Sequence, residues 1–174
     1  MKKDGYIWFF KSLLRIFIGK SVKMNLINKI CVEECNRFIR SVLSESALSN
    51  RSVILSIQPE FADKIFNHTK KYEYRKTIFS PNVKKVYVYS SSPVCKIIGY
   101  FIIDEIVQGL PSTVWRKTSK DGGITRKYFD DYFDGHDTAY AIKINSVHLF
   151  KKPIEPKTII KNFRPPQNFM YYDE

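Results

Sequence analysis

Along the chain, the rhythm of apolar positions changes near residue 50. Before it, Leu26, Ile27, Ile30, Cys31, Phe38, Ile39, Val42 and Leu43 recur at close to helical spacing, so residues 22–48 read as one or two helices, stopped by the polar run "SNRS" at 49–52. After it, the apolar residues are β-branched and alternate. "SVILSIQP" (52–59) reads as a strand stopped by Pro59, and "PEFADKIFNH" (59–68) as a helix opened by that proline, with Phe61, Ile65 and Phe66 on one side. "KKVYVYSSSP" (84–93) and "CKIIGYFIIDEIV" (95–107) follow as strands, the second with a bend or bulge at Gly99. Two short helices are expected at 111–118 and 125–135, the latter capped by Gly135, then a cleanly alternating strand at 138–150 and an extended aromatic tail at 163–174. Strands interrupted by short helices, without a regular βαβ rhythm, predict an α+β domain at 52–174 with a small curved or closed sheet. Residues 1–51 are expected to form a basic helical extension preceding it in the chain.

The extension begins "MKKDGYIWFFKSLLRIFIGK". Lys11 and Arg15 interrupt its apolar run, so it is too short to span a bilayer, which takes about 20 apolar residues. The same charges, with no small-residue cleavage site after them, fit a signal peptide no better. Lys11 and Arg15 share a helical face opposite Phe9, Phe10, Leu13, Leu14 and Phe17. Residues 1–23 therefore read as an amphipathic basic helix that packs on the domain, meets a protein partner or lies on a membrane surface. In a further alternative, Met24 is the true start.

Charge narrows the class of partner. The 174 residues carry a formal net charge of +12, with +6 on residues 1–51 and +6 on the remainder, which suits a polyanion. Cys31, Cys35 and Cys95 contain no C-x-x-C pair, and His68, His136 and His148 lie far from metal-ligand spacing with them. A cytoplasmic protein without metal or cofactor is expected. "FDDYFDGHD" (129–137) reads as a solvated helix face, "SSS" (90–92) as a turn, and "DGG" (121–123) as a loop.

Candidate chemistry concentrates in "HTKKYEYRK" (68–76). On an ideal strand Lys71, Glu73 and Arg75 share one face, with Lys70 at the turn leading in, while Tyr72 and Tyr74 point to the core. The row reads either as a solvated strand face whose charges pair weakly or as a site in which the glutamate orients the guanidinium and the exposed ends of both bond a planar ligand such as a nucleobase. Tyr89 and Trp115 are further candidates for stacking.

"ILSIQPEFADKIFNHTKKYEYRK", "VYVYSSSPVCKIIGYFIIDEI" and "GHDTAYAIKI" together resemble the ASCH family, small β-barrel domains of the PUA-like superfamily. The family motif G-x-K-x-x-E-x-R is matched at Lys70, Glu73 and Arg75, with His68 in the glycine position. The resemblance runs over about 120 residues, from Ser52 to the C-terminus, and implies a cleft beside a barrel that binds RNA or a modified nucleotide through Lys70, Lys71, Glu73 and Arg75. Some relatives are amidohydrolases acting on acetylcytidine through a lysine, a threonine and a later glutamate. Lys70 matches the first and Glu105 stands for the last, while Glu73 holds the threonine position. Other relatives are ribonucleases. A hydrolase using Lys70, Glu73 and Glu105 is thus the alternative expectation.

Overall fold

The computed structural model describes residues 51–173; the expected helices of 1–51, the Met24 start and the membrane or partner contact of 1–23 lie outside them. Six strands make one sheet: β1 (Arg51–Ile57), β2 (Tyr72–Arg75), β3 (Lys85–Ser90), β4 (Lys96–Gly109), β5 (Ala139–Ile154) and β6 (Phe169–Asp173), in the order β2-β5-β4-β3-β1-β6. β1 and β3 are parallel, and every other neighbouring pair is antiparallel. Three helices accompany them: α1 (Pro59–Phe66), α2 (Pro111–Thr118) and α3 (Arg126–Phe133). Proline opens both α1 and α2, where its missing N–H would have no helical partner, and the Thr125 side chain caps α3 by accepting from the Tyr128 N–H at 3.2 Å. Gly135, the expected cap of α3, adopts φ 70°.

Alternation along the strands sorts the core. Val53, Leu55, Val86, Val88 and Phe101 turn to one face, where Ala62 and Ile65 of α1 cover them. Ile54, Tyr87, Tyr89 and Ile97 turn to the other, under Ile160 and Phe163. A third cluster, built on Tyr74, Val114, Phe129 and Phe133, seats α2 and α3 beside β2 and β5. The expected irregularity at Gly99 is present as a register shift between Ile97 and Gly99 in the β4–β5 ladder.

The sheet is not closed into the expected barrel. β2 and β6 are its two edges, and no ladder joins them. β2 has only four residues, and the chain leaves it at once for the loop that packs Phe79 and Val83 into the core. The sheet nevertheless curls: Arg75 on β2 reaches Ser56 on β1, four strands away in the sheet order, with its Nη2 donating to the Ser56 carbonyl at 2.7 Å. A side chain spans the gap where a barrel would carry backbone hydrogen bonds.

Candidate functional site: a cavity at the open seam

Local chain geometry delivers the motif to that gap. α1 ends in a tight turn in which the Thr69 and Lys70 N–H groups both donate to the Lys64 carbonyl, at 3.0 and 2.9 Å. His68 sits inside this turn at φ 64°, the left-handed region that a glycine enters at no steric cost. The turn the family motif assigns to glycine is therefore made here by histidine, at some backbone strain. The chain then enters β2, paired antiparallel with β5 from Tyr72↔Lys143 to Arg75↔Tyr140.

Lys70, Glu73 and Arg75 are all buried, at 3%, 6% and 7% exposure, and all three line one cavity of about 510 Å³. Glu73 lies between the two cations. Its Oε1 forms an ion pair with Arg75 Nη2 at 2.9 Å and its Oε2 lies 3.6 Å from Lys70 Nζ. Lys70 Nζ also donates to the Gly122 carbonyl at 2.9 Å and stands 4.8 Å from the Tyr74 ring centre. Arg75 Nη1 donates to Asn168 Oδ1 at 3.2 Å, and Asn168 Nδ2 donates onward to Thr77 Oγ1. Arg75 Nε is a buried donor with no hydrogen-bond partner among the described residues. A guanidinium carries five N–H donors in a fixed fork, and this one is shielded from solvent with no acceptor among those residues to answer it.

Burial holds the Lys70 ammonium below the usual lysine pKa, with the Glu73 carboxylate opposing the shift. Burial likewise raises the phenols of Tyr74 and Tyr132. It raises that of Tyr128 too, with the negative charges of Glu60 and Glu73 adding to it. The Tyr89 phenol is pushed up to about 12, by burial first and then by its hydrogen bond with Cys95.

Other residues expected at the site stand elsewhere. Lys71 turns outward to pair with Asp121 Oδ1 at 2.8 Å, and the β2 ladder begins only at Tyr72, so Lys71 does not share the cavity face of Glu73 and Arg75. Glu105 is exposed on β4, where Lys143 Nζ lies 3.4 Å from its Oε1 and 2.8 Å from Asp104 Oδ2. It does not line the cavity. Trp115 packs on Phe129 with ring centres 4.9 Å apart. Tyr74 packs on Phe129 as alternation requires, yet also walls the cavity, and Tyr89 lines it as well. Asp130 and Asp131 pair with Arg126 and Lys127 one turn earlier on α3, and no group of His, Cys, Asp or Glu among the described residues has metal-binding geometry.

The structure adds residues that motif reading missed. Ser91 and Ser92, assigned to a turn, line the cavity with Cys95. Tyr128 and Tyr132 of α3 and the Pro165–Gln167 segment supply further wall. The loop 121–123 is the roof over Lys70. Gly122 presents its carbonyl to the ammonium, and a Cβ on Gly123, which adopts φ 67°, would lie 2.6 Å from the Lys70 Cβ. Two adjacent glycines were the available signal, because a loop that must lie this close to another side chain cannot carry side chains of its own.

Comparison with known proteins agrees with this architecture. The chain is 30% identical over 128 residues to the ASCH domain-containing ribonuclease of Zymomonas mobilis, covering 70% of this chain and 84% of that one. The chain belongs to the ASCH domain family. Crystal structures give the same answer: the Zymomonas mobilis ASCH protein superposes with a TM-score of 0.67 at 29% identity, over 71% of this ASCH chain and 88% of that one. A point mutant of the same protein gives 0.66 at 28% identity. The large ribosomal subunit protein uL22 of Ureaplasma parvum shares 30% identity over 106 residues, which are 60% of this ASCH chain but only 34% of that protein. No family model matches the ASCH chain. No helix among its described residues is long and apolar enough to cross a membrane.

Proposed function

We propose that this ASCH domain acts on RNA and takes one nucleotide, standard or modified, into the cavity at the seam of the sheet. One observation carries the reading: a lysine, a glutamate and an arginine converge, buried, on one cavity of about 510 Å³. The volume falls within the range of small-molecule sites, about 300–1,000 Å³. The Arg75 guanidinium draws a phosphate or carbonyl oxygen, and the Lys70 ammonium adds positive charge beside it. Both Glu73 oxygens face these two cations, so in this reading Glu73 positions them instead of reading a base edge. Tyr128 and Tyr132 offer ring faces to the base, the common way of holding an unstacked nucleotide.

Titration of the full chain with 5′-mononucleotides and with a labelled single-stranded RNA at low salt tests the proposal. Binding is expected, with RNA affinity falling as salt rises. Arg75→Lys, which keeps the charge and loses the planar fork, weakens mononucleotide binding about tenfold or more, and Tyr128→Ala weakens it with little change in stability, since Tyr128 is 41% exposed. Absence of binding to every nucleotide and to RNA overturns the reading.

A second reading is favoured by the 30% identical relative that is named a ribonuclease. Lys70 and Arg75 would neutralise the phosphate charge that builds up when a neighbouring 2′-hydroxyl attacks, and burial, by lowering the Lys70 pKa, makes that ammonium a readier proton donor than an ordinary lysine. Incubation with end-labelled RNA, and separately with acetylcytidine, distinguishes cleavage from binding. Product that disappears with Lys70→Met assigns hydrolysis to this cavity. Uncut substrates with intact binding leave the first reading alone.

A further inference from the structure

Residues 151–164, which lead from β5 towards β6, lie over the sheet face opposite α1. Their apolar members point inward: Ile154 and Ile160 pack on Ile54, Tyr89 and Ile97, Phe163 joins that cluster, and Pro156 is buried. Between these anchors the chain is basic. Lys151, Lys152, Lys157, Lys161 and Arg164 are all exposed, against the single acid Glu155. None of these five side chains has an ion pair or hydrogen bond among the described residues, whereas Arg51, Lys71, Arg126, Lys127 and Lys143 each have a carboxylate partner. The backbone under the unpaired cations is ordered: Pro156–Thr158 form a 3-10 turn, the Ile160 N–H donates to the Pro156 carbonyl at 2.9 Å, and the Phe163 N–H donates to the Ile160 carbonyl at 3.2 Å. Like charges held together in this way repel one another, a cost that bound anions remove.

The segment runs into the seam. Arg164 directly precedes the Pro165–Gln167 wall of the cavity, and Phe163 packs on Tyr89, another wall residue, with ring centres 5.3 Å apart. β4 arrives at the same place: Lys96, exposed and also unpaired among the described residues, directly follows the wall residue Cys95, and the next residue, Ile97, pairs with Ile154 of the segment. Cations near the other walls are already engaged. Lys64 donates to the Gly123 carbonyl at 3.3 Å, and Lys127, beside the wall residue Tyr128, is paired with Asp131. A nucleotide inside a strand carries a phosphate on either side, so the strand must leave the cavity over one of its lips. The lip at Arg164 and Lys96 is the one that presents unanswered positive charge.

We infer that Lys96, Arg164 and the lysines of 151–161 form a phosphate track that holds the single-stranded RNA leaving the seam cavity. The inference rests on the seam taking a nucleotide of RNA. It adds length to the footprint without adding selectivity, because phosphate contacts position a strand and carry no sequence information.

The test uses the full chain, a labelled 12-nucleotide oligouridylate read by fluorescence anisotropy across a salt series, and a 5′-mononucleotide read by calorimetry. Lys152→Gln, Lys157→Gln and Lys161→Gln together remove three contacts, each worth about 0.7 in the slope of log affinity against log salt, so the slope falls by about 2. Mononucleotide binding stays as in the parent. A control variant, Lys84→Gln with Arg116→Gln and Lys117→Gln, removes the same charge from exposed sites that do not line the cavity, and it leaves the slope as it was. A slope within about 0.5 of the parent's in the segment variant, with its fold intact by circular dichroism, overturns the inference. An equal fall in the control overturns it too, since overall charge would then be the cause. So does a segment variant that loses binding to phosphatidylserine vesicles while keeping the oligomer. A parent that binds the mononucleotide but gains nothing from added length refutes the track and spares the seam, whereas a parent that binds neither refutes both.

Discussion

Replacing Glu73 by glutamine is the sharpest perturbation of the cavity, because the side chain keeps its shape and loses only its charge. Glu73 is 6% exposed and lies 2.9 Å from the Arg75 guanidinium and 3.6 Å from the Lys70 ammonium. At an effective dielectric of about 20, each contact is worth about 5 kcal/mol of Coulomb attraction, set against the cost of removing three charges from water. The variant keeps that cost for both cations and loses the attraction. Breaking a buried pair in this way costs about 3–5 kcal/mol, which lowers the melting temperature of a domain this size by about 10–20 °C. The loss depends on pH with a definite sign. Burial already lowers the Lys70 pKa and Glu73 opposes that shift, so without Glu73 the pKa falls further. Between that lowered value and the ordinary lysine value of 10.5, the folded state holds fewer protons than the unfolded one, and stability rises with pH. Urea denaturation at pH 7 and pH 9.5 should therefore show a smaller Glu73→Gln penalty at the higher pH. Lys70→Met combined with Glu73→Gln should recover part of the pH 7 loss, because only one buried cation remains. A Glu73→Gln penalty below about 1 kcal/mol at pH 7, with unchanged m-value, would refute the buried triad as the organising feature of the site.

Three further outcomes follow from the same geometry. Gly123→Ala forces a Cβ to 2.6 Å from the Lys70 side chain at φ 67°, so it should lower stability by about 1–3 kcal/mol and weaken mononucleotide binding together, as denaturation and calorimetry would show. Glu105→Gln removes an exposed partner of Lys143 and should change stability by less than about 1 kcal/mol and leave RNA binding or cleavage as it was; a loss of activity would return Glu105 to the site. Alkaline titration followed by tyrosinate absorbance should contain a late component near pH 12 that Tyr89→Phe removes, and stability should fall between pH 10 and that value, because the unfolded phenol gives up its proton first.

Much of this arrangement was legible in the chain. Alternation in "VYVY" and "ILSI" sorted the two faces of the sheet, and the prolines at 59 and 111 marked helix starts that the structure keeps. The spacing of Lys70, Glu73 and Arg75 pointed to a shared location because two of them are alternate residues of one short strand. Lys71 fits the same spacing and still departs, since Asp121, fifty residues away in sequence, draws its ammonium outward before the ladder begins. Closure of the sheet was not legible either. Whether two edge strands meet depends on how far the sheet curls, and here the curl stops where Arg75 can bridge it. The remaining wall of the cavity, Ser91, Ser92, Cys95, Tyr128 and Tyr132, comes from segments whose only common feature is their arrival at that seam. No local pattern announces such a meeting.

The most direct measurement is a crystal structure of the protein with a bound mononucleotide or short RNA. The account predicts a nucleotide in the seam cavity, with one of its oxygens at hydrogen-bond distance from the Arg75 guanidinium or the Lys70 ammonium and a ring face against Tyr128 or Tyr132. A nucleotide bound elsewhere, with the cavity filled only by water bridging Arg75, would contradict it.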